Sequence, residues 1–341
     1  MSPKSQRVLV TGGAGYIGSH TLPELMMAGH EVHVIDDLSN GHGVALERCR
    51  QIVGRDFGFS EADIRDAARV SEVIRAFGPD VVIHFAGLKS PSESIEKPDL
   101  YREVNVIGSL RLLDAMRAGG CQRLVFSSSA AVYGPPDFLP ISEDHPRRPT
   151  TPYGASKAEV EDILVQEAAK DTTLTCAILR YFNPVGAHAS GLIGEHPQDI
   201  PTNLVPYIVD VARGRLPRLN VFGDDYGTPD GTGVRDYIHV TDLARAHVAA
   251  LDWTAGATGA REFNLGAGEG TSVRDLIRTF ETATGRDIPF VVAPRRPGDV
   301  ASSYADPGRA ERELKWKAEL TLTDMCRSAW AWGARNPEGY A

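Results

Sequence analysis

The chain has 341 residues, of which 42% are hydrophobic and 24% are charged, and its formal net charge is −9. This is the composition of a globular protein long enough for two substructures, and its acidity disfavours the phosphate contacts of nucleic-acid and anionic-membrane binders. No stretch reaches the roughly 20 apolar residues of a membrane span. From the net charge and the absence of such a stretch, we expect neither nucleic acid nor a membrane as a partner.

Five short runs of aliphatic and β-branched residues alternate with longer helix-like stretches in the first half of the chain. Runs that are apolar at nearly every position predict strands buried on both faces, and amphipathic stretches such as residues 108–116 predict the helices that cover them. We therefore expect an α/β fold with a Rossmann-type doubly wound parallel sheet. The predicted strands are residues 8–10, 32–35, 81–84, 124–126 and 175–179.

A glycine-rich turn follows the first predicted strand. Gly12, Gly15 and Gly18 have the spacing G-x-x-G-x-x-G, and a helix-compatible run to residue 27 comes next. Glycines let backbone N–H groups and a helix N-terminus approach a pyrophosphate, where the helix dipole favours negative charge. The turn predicts a dinucleotide site, against the alternative of a purely structural tight turn.

The second predicted strand ends at Asp36, about 20 residues beyond the turn, where a carboxylate can accept a hydrogen bond from a ribose 2′-hydroxyl. Asp36 and its neighbour Asp37 would repel a 2′-phosphate, and no arginine follows at once to neutralise one. We therefore expect NAD and not NADP. Loops after later strands are expected to reach the adenine and the nicotinamide ribose, and they carry Asp63, Ile64, Phe85, Ala86 and Gly87.

Tyr153 and Lys157 are four residues apart, hence one turn apart on the same face if a helix runs from Tyr153 to about residue 169. A tyrosine with a pKa of about 10 is a poor base at neutral pH, but a nearby lysine cation and a nicotinium ring would favour its phenolate. The pair therefore predicts a general base, although Y-x-x-x-K occurs by chance on many helix surfaces.

From about residue 183 the sequence pattern changes, because prolines interrupt short apolar segments. This predicts a looser, loop-rich C-terminal region that carries the substrate-specific contacts, and we expect it to form a smaller mixed α/β domain. We expect a dinucleotide-binding domain at residues 1–182, to which segments around 233–268 return, and a mainly substrate-binding domain at residues 183–341.

Ser129 lies just after the fifth predicted strand. With this serine, the glycine turn and Y-x-x-x-K, the chain resembles the extended short-chain dehydrogenase/reductase family. Nearly the whole chain is similar to the UDP-galactose 4-epimerases of that family, and the resemblance implies a homodimer formed through helices near residues 99–116 and 155–169. The similar segments are residues 11–20, 82–89, 126–134, 180–188, 231–239 and 263–268.

The resemblance implies an enzyme that interconverts UDP-glucose and UDP-galactose through a 4-keto sugar, with transient reduction of bound NAD. Tyr153 would take the proton of the sugar 4-hydroxyl, Lys157 would hold the nicotinamide ribose and lower the tyrosine pKa, and Ser129 would assist proton transfer. The implied NAD contacts are Gly12, Gly15, Tyr16, Ile17, Gly18, Asp36, Asn40, Asp63, Ile64, Phe85, Ala86, Gly87, Lys89, Asn105, Tyr153, Lys157 and Phe182. The implied substrate contacts are Lys89, Ser129, Tyr153, Tyr181, Asn183, Asn203, Phe222, Arg235, Arg296, Asp299 and Ser303.

Two departures from the family pattern concern the reaction and the substrate. Related 4,6-dehydratases use an acidic pair where this chain has Ala130 and Ala131, so dehydration is disfavoured. Epimerases often have threonine at the position of Ala131, so the sequence does not determine the rate of epimerisation. Ser303 corresponds to a gate beside the sugar C2 substituent, where a small residue leaves room for an N-acetyl group. We hypothesise that UDP-N-acetylglucosamine is also a substrate, although a shift of one residue would put Tyr304 in the gate.

Metal and disulfide sites are not expected, because the ten histidines form no H-E-x-x-H motif and the four cysteines form no C-x-x-C pair. Together with the absence of an apolar signal core at the N-terminus, reduced cysteines favour a cytoplasmic protein. Two alternatives remain: another NAD-dependent modifier of UDP-sugars, such as a uronate epimerase or decarboxylase, and a non-catalytic NAD-sensing regulator.

Overall fold

The computed structural model describes residues 5–198, 201, 203–296 and 298–341, which contain fourteen strands and twelve α-helices. The strands are β1 (Arg7–Thr11), β2 (Glu31–Asp36), β3 (Gly58–Glu61), β4 (Val81–His84), β5 (Arg123–Ser129), β6 (Thr175–Tyr181), β7 (Asn183–Val185), β8 (Leu219–Phe222), β9 (Val234–Arg235), β10 (Tyr237–His239), β11 (Gly259–Leu265), β12 (Thr271–Ser272), β13 (Phe290–Ala293) and β14 (Ser302–Ser303). The helices are α1 (Tyr16–Met27), α2 (Gly43–Val53), α3 (Ala67–Phe77), α4 (Pro91–Glu96), α5 (Pro98–Arg102), α6 (Gly108–Ala118), α7 (Pro152–Lys170), α8 (Leu204–Ala212), α9 (Val240–Thr254), α10 (Val273–Thr284), α11 (Gly308–Glu313) and α12 (Leu322–Arg335). A π-helical turn (Glu103–Ile107) and a 3-10 turn (Ala130–Val132) lie between them.

Seven strands form one parallel sheet in the order β11-β6-β5-β4-β1-β2-β3. This confirms the Rossmann-type doubly wound fold expected from the sequence, and the five predicted strands are all present. The strand order reverses between β1 and β4, because the chain crosses from β3 back to the other side of β1. Ligands of such sheets bind in the crevice that this reversal opens at the carboxyl ends of the strands.

Alternate side chains of β1 pack on opposite faces of the sheet, as the strand period of two requires. Val8 and Val10 belong to the core beneath α1, α2 and α9, whereas Leu9 belongs to the core beneath α3, α6 and α7. Leu22 of α1 and Leu164 of α7 are fully buried on the two sides. Each such side chain contributes about 1.5–3 kcal/mol through the area it removes from water.

The chain leaves the large sheet after β6 and returns to it with α9 and β11, which pairs with β6 along its whole length. Between and after these elements, β7 pairs with β10, β8 with β13, and β9 lies between β12 and β14. Helices α8, α10 and α12 enclose a second core beside these short strands, with Ile208, Leu276, Phe280 and Met325 at its centre.

No helix in the described part of the chain has both the length and the apolar character needed to cross a bilayer.

Candidate functional site

The glycine turn between β1 and α1 lies against the loop that follows β4. Gly12 has a φ of +72°, and a Cβ on it would lie 2.5 Å from the backbone nitrogen of Ala86. A Cβ on Gly18 would overlap the Gly12 carbonyl oxygen, and Gly15 is the last residue before α1. Bare backbone at a helix N-terminus therefore faces the crevice, which is the arrangement that a pyrophosphate needs.

Asp36 ends β2 beside this turn, and its side chain is buried. Its two carboxylate oxygens accept one backbone N–H each, from Ala14 and from Leu38, both at 2.9 Å. Burial raises the pKa of Asp36, and these two amide bonds lower it. Since each oxygen keeps a free lone pair, the carboxylate can still accept a ribose hydroxyl.

The remaining predicted contacts of the adenosine half follow β2 or β3, or lie at the start of α1. Asn40 is exposed in the loop after β2, and Ile64 is buried where a Cβ on Gly108 would touch it. Asp63 pairs with Arg65 through hydrogen bonds of 2.5–3.0 Å, which hold the pKa of Asp63 below its usual value. Ile17 packs against the core from the first turn of α1.

Tyr16 bridges this half of the site to the chain that follows β7. It is the first residue of α1, and its hydroxyl donates to the carbonyl oxygen of Gly186 at 2.7 Å. Burial raises the pKa of the phenol, so it stays a neutral donor. The bond ties α1 to the second part of the chain at the edge of the crevice.

Asn105 of the π-helical turn ties the loop after β4 to α7. Its side chain makes two bonds with the Leu88 backbone, at 2.8 and 3.0 Å, and donates to Ser156 Oγ at 3.0 Å. A Cβ on Gly87 would lie 2.9 Å from Asn105 Oδ1 and 3.7 Å from Lys157 Nζ. The loop carrying Phe85, Ala86 and Gly87 therefore lies directly against Lys157.

Tyr153 lies in the first turn of α7, whose N-terminus is capped by Thr151 Oγ1 accepting from Gly154 N at 3.2 Å. Its phenol hydrogen-bonds to Ser129 at the end of β5, and Ser129 Oγ also accepts from Ala131 N at 3.2 Å. Burial raises the Tyr153 pKa and the Ser129 bond lowers it. Burial outweighs that bond, so the pKa of Tyr153 in the protein alone lies above its ordinary value. The lower pKa expected from Lys157 together with a nicotinium ring concerns the NAD-bound protein and stays a prediction.

Lys157 is buried one turn further along the same face of α7. Its ammonium donates to the carbonyl oxygen of Ser127 at 2.8 Å and lies 5.0 Å from the centre of the Phe126 ring. Burial lowers its pKa to about 8, and the nearby Glu161 carboxylate raises it. Tyr153, Lys157 and Ser129 thus meet at the carboxyl end of β5, next to the crevice of the glycine turn.

Two arginines of the C-terminal half lie beside aromatic and acidic partners. Arg235 of β9 forms an ion pair with Asp299 and donates to the Val234 carbonyl oxygen at 2.8 Å. The Arg296 guanidinium lies 4.0 Å from the centre of the Phe222 ring, at the end of β8. Stacked and paired guanidinium groups are preorganised to bind phosphate oxygens through two parallel hydrogen bonds.

Glu195 links two predicted contacts that sequence reasoning did not connect. It accepts from Asn203 Nδ2 at 2.7 Å and lies 3.8 Å from Lys89 Nζ. Asn183 belongs to β7, and its amide donates to the backbone oxygen of Asp236 at 2.9 Å. Asn203 is therefore held by Glu195, in the segment before α8, and Asn183 by Asp236, between β9 and β10.

Ser303 of β14 pairs in register with Arg235 of β9. Residues directly opposite in adjacent strands project from the same face of a sheet, and the next residue projects from the other. Tyr304 accordingly lies beside Gly270, where an added Cβ would be 3.0 Å from its ring.

Tyr181 and Phe182 are two further predicted contacts with buried side chains. The Tyr181 hydroxyl forms a buried hydrogen bond with the ring of His247 on α9. Phe182 is buried in a small cluster with Val132 and Ile141.

Sequence reasoning missed the buried Arg180 and Glu161, which pair with each other beneath the Tyr153 turn. A signal was present, since Glu161 interrupts the apolar stripe of α7 four residues after Lys157 and Arg180 interrupts the apolar run of β6. The described residues contain no group of three or more histidine, cysteine or acidic side chains that could hold a metal ion, and the four cysteines are buried and unpaired.

Comparison with known proteins identifies relatives over nearly the whole chain. The sequence profile of the NAD dependent epimerase/dehydratase family matches residues 8–266. A UDP-glucose 4-epimerase of Bacillus subtilis (strain 168) is 50% identical over 333 residues, which are 98% of each chain.

Two solved structures have closely similar folds. A UDP-glucose-4-epimerase from Stenotrophomonas maltophila, solved with bound NAD and formylated UDP-arabinopyranose, is 51% identical with a TM-score of 0.96 over 97% of this chain and 99% of its own. A UDP-glucose 4-epimerase from Bifidobacterium longum, solved in complex with NAD+ and UDP, is 50% identical with a TM-score of 0.94 over 98% of this chain and 99% of its own.

Proposed function

The chain belongs to the NAD dependent epimerase/dehydratase family, and from this premise we propose that it is an NAD-dependent UDP-glucose 4-epimerase. The observation that carries the proposal is the contact of Tyr153 with Ser129, one helical turn from a buried Lys157 and beside a glycine turn that leaves room for a pyrophosphate. Half of the residues are identical to those of a named UDP-glucose 4-epimerase along nearly the full length of both chains.

The residues of the crevice fit NAD, because the bare backbone at Gly12 and the carboxylate of Asp36 suit a pyrophosphate and a ribose hydroxyl. When bound, NAD supplies the group that takes hydride from C4 of the sugar and returns it to the opposite face. Lys157, which touches the Gly87 loop, would hold the nicotinamide ribose. NAD is favoured over NADP by Asp36 and Asp37, which would repel a further phosphate.

Tyr153 would accept the proton of the sugar 4-hydroxyl at its phenol oxygen and return it after the 4-keto sugar has turned over. Ser129 would hold the same sugar oxygen and the phenol together, since its hydroxyl already bonds to Tyr153. Ala130 and Ala131, in the turn that follows, offer no acid or base for a dehydration.

The uridine diphosphate would be anchored in the C-terminal half while the hexose turns. Arg235 and Arg296 would bind the diphosphate, and Asp299, Phe222, Asn183 and Asn203 lie next to them or on neighbouring elements. This division favours a boundary near residue 182 between cofactor and substrate domains, with β11 contributing to the large sheet of the first.

The direct test is conversion of UDP-glucose to UDP-galactose by the purified protein, measured alongside UDP-glucuronate. Production of UDP-galactose is expected. A protein that releases carbon dioxide from UDP-glucuronate or epimerises it, while leaving UDP-glucose unchanged, would replace this proposal with a uronate decarboxylase or epimerase. A protein that binds NAD and changes none of these sugars would be a regulator.

We extend the proposal to UDP-N-acetylglucosamine, because Ser303 lies beside Arg235 and the bulkier Tyr304 projects from the other face. Ser303→Tyr is expected to reduce kcat/KM for UDP-N-acetylglucosamine by about 10-fold or more and to leave UDP-glucose turnover within about twofold. No turnover of UDP-N-acetylglucosamine by the unaltered protein would contradict the extension.

A homodimer through α5, α6 and α7 is part of the proposal, as is a cytoplasmic location. Apolar side chains on these helices are exposed in the single chain, with Leu100 39% and Val165 41% accessible. Light scattering on the purified protein tests the dimer, and a monomer at micromolar concentration would contradict it. The unpaired cysteines support a reducing compartment, which cell fractionation tests.

A further inference from the structure

A buried ion pair lies beneath the turn that carries Tyr153 and Lys157. Glu161 follows Lys157 by one turn of α7 with a side chain that is 1% exposed, and its partner Arg180 on β6 is 3% exposed. Arg180 donates to Glu161 through Nη2 at 2.6 Å and through Nε at 3.0 Å. A buried ion pair seldom stabilises a fold more than apolar side chains of the same volume, so stability alone does not explain this one.

Glu161 connects α7, which carries Tyr153, to β5, which ends at Ser129. Ser128, the neighbour of Ser129, donates its hydroxyl to Glu161 Oε1 at 2.5 Å. One turn earlier, Lys157 donates to the Ser127 carbonyl oxygen at 2.8 Å. Consecutive residues at the end of β5 are therefore bonded to consecutive turns of α7, which fixes how far Ser129 lies from Tyr153.

Arg180 extends the same network to the other side of Ser129. Its Nη1 donates to the Tyr133 hydroxyl at 2.9 Å, directly after the 3-10 turn that follows Ser129. Tyr133 in turn donates to Asn264 Oδ1 at 2.6 Å, on β11. The Arg180 guanidinium therefore holds the chain on both sides of Ser129: it binds Glu161, which accepts from Ser128, and it donates directly to Tyr133.

Glu161 is also the carboxylate that faces the Lys157 ammonium. In the part of the chain that the structure describes, His84 on β4 also interacts with that ammonium, and Tyr181 on β6 interacts with Tyr153. Burial lowers the pKa of His84 to about 3 and raises that of Tyr181, so both are neutral near pH 7. Arg147 donates to Glu161 at 3.1 Å from the solvent side.

We propose that Arg180 and Glu161 are positioning residues for the epimerisation, which hold Ser129 at its distance from Tyr153 and keep a negative charge beside Lys157. They do not touch the substrate. The proposal rests on the function proposed above and adds to it the reason for two buried charges that no ligand contact requires.

The test replaces both charges at once, because removing one would leave the other buried and unpaired. The Glu161→Met/Arg180→Met protein should fold and retain NAD. We expect its kcat to fall about 10- to 100-fold, as for a small misplacement of reacting groups, with KM for UDP-glucose within about twofold. The ascending limb of kcat against pH should also move to higher pH, because Lys157 loses its facing carboxylate and then supports the Tyr153 phenolate less.

The control is Arg261→Met/Glu313→Met, which removes a two-bond ion pair between β11 and α11 and should leave kcat and the pH profile unchanged. Native kcat and pH profile in a folded Glu161→Met/Arg180→Met protein would overturn the proposal. If that protein does not fold, the Ser128→Ala protein tests the proposal instead, because this change removes only the bond to Glu161. We expect a several-fold loss of kcat at unchanged KM, and native kcat would overturn the proposal.

A measurement without turnover separates this proposal from the proposed function. The phenolate absorbance of Tyr153, taken as the difference from a Tyr153→Phe protein, should titrate at higher pH in the double variant than in the unaltered chain. An unchanged midpoint contradicts the positioning role. Absence of epimerisation by the unaltered protein contradicts the proposed function instead.

Discussion

The phenol of Tyr153 shares a hydrogen bond with Ser129, and this bond opposes the effect of burial on its pKa. Tyr153→Phe keeps the ring and removes the oxygen that would exchange the proton. We expect kcat to fall by about 10²- to 10⁴-fold, the usual contribution of a general acid–base group, with NAD content unchanged. Stopped assays with UDP-glucose and the NAD released on denaturation measure both, and substantial turnover by this variant would exclude Tyr153 as the base.

Ser129→Ala tests the pKa of that base. Because the Ser129 bond lowers the Tyr153 pKa, its loss leaves burial unopposed, so the phenolate forms at higher pH. The ascending limb of kcat should move to higher pH, and kcat near pH 7 should fall about 10-fold, the value of one such hydrogen bond. A lower kcat with an unmoved limb would instead indicate that Ser129 acts on the substrate alone.

Individual residues differed in how far the sequence could predict them. Asp36, Ser129, Tyr153 and Lys157 are marked by local spacing, and the structure brings the last three together at the end of β5. Arg180 is an arginine in an apolar strand, and its role depends on a partner 19 residues away that only the packing of α7 on β6 reveals. The pKa of Tyr153 was not predictable, since burial is a property of the folded chain.

At the scale of elements, α7 places the base through its N-terminus. Thr151 caps this helix two residues before Tyr153, and Thr151→Ala leaves the Gly154 N–H without its partner. We expect a loss of about 1 kcal/mol in the free energy of unfolding, together with a lower kcat at unchanged KM because the first turn frays. Thr151→Ser keeps the hydroxyl and should restore both; equal stability of the alanine and serine variants would show that the cap does not matter.

Helices and strands with a regular apolar pattern were predicted well. The helix expected over residues 153–169 is present as α7, one residue longer at each end, and the second strand ends at Asp36 as predicted. The π-helical turn before α6 was not predicted, because Asn105 is held there by Leu88 and Ser156, which are distant in sequence. The short strands β9, β12 and β14 carry two residues each, too few for any alternation to show.

At the scale of the whole molecule, ligand binding should increase the free energy of unfolding. UDP binds the folded protein through Arg235 and Arg296 in the proposed function, so UDP at about 100 times its Kd should add about 2.7 kcal/mol and raise Tm by several degrees. Uridine, which lacks the phosphates, should raise Tm less at equal concentration. An Arg235→Gln protein should respond more weakly to UDP, and an equal shift in that variant would exclude Arg235 from the diphosphate site.

The return of β11 to the large sheet has a consequence for synthesis on the ribosome. Strand β6 ends at Tyr181, but its neighbour begins only at Gly259. At roughly 5–20 residues per second, the stretch between them takes on the order of 4 to 15 seconds to translate. During this interval the open edge of β6 and the apolar surface later covered by α9 have no partner in the nascent chain. The protein is therefore expected to depend on chaperones at this stage more than its completed seven-stranded sheet would suggest.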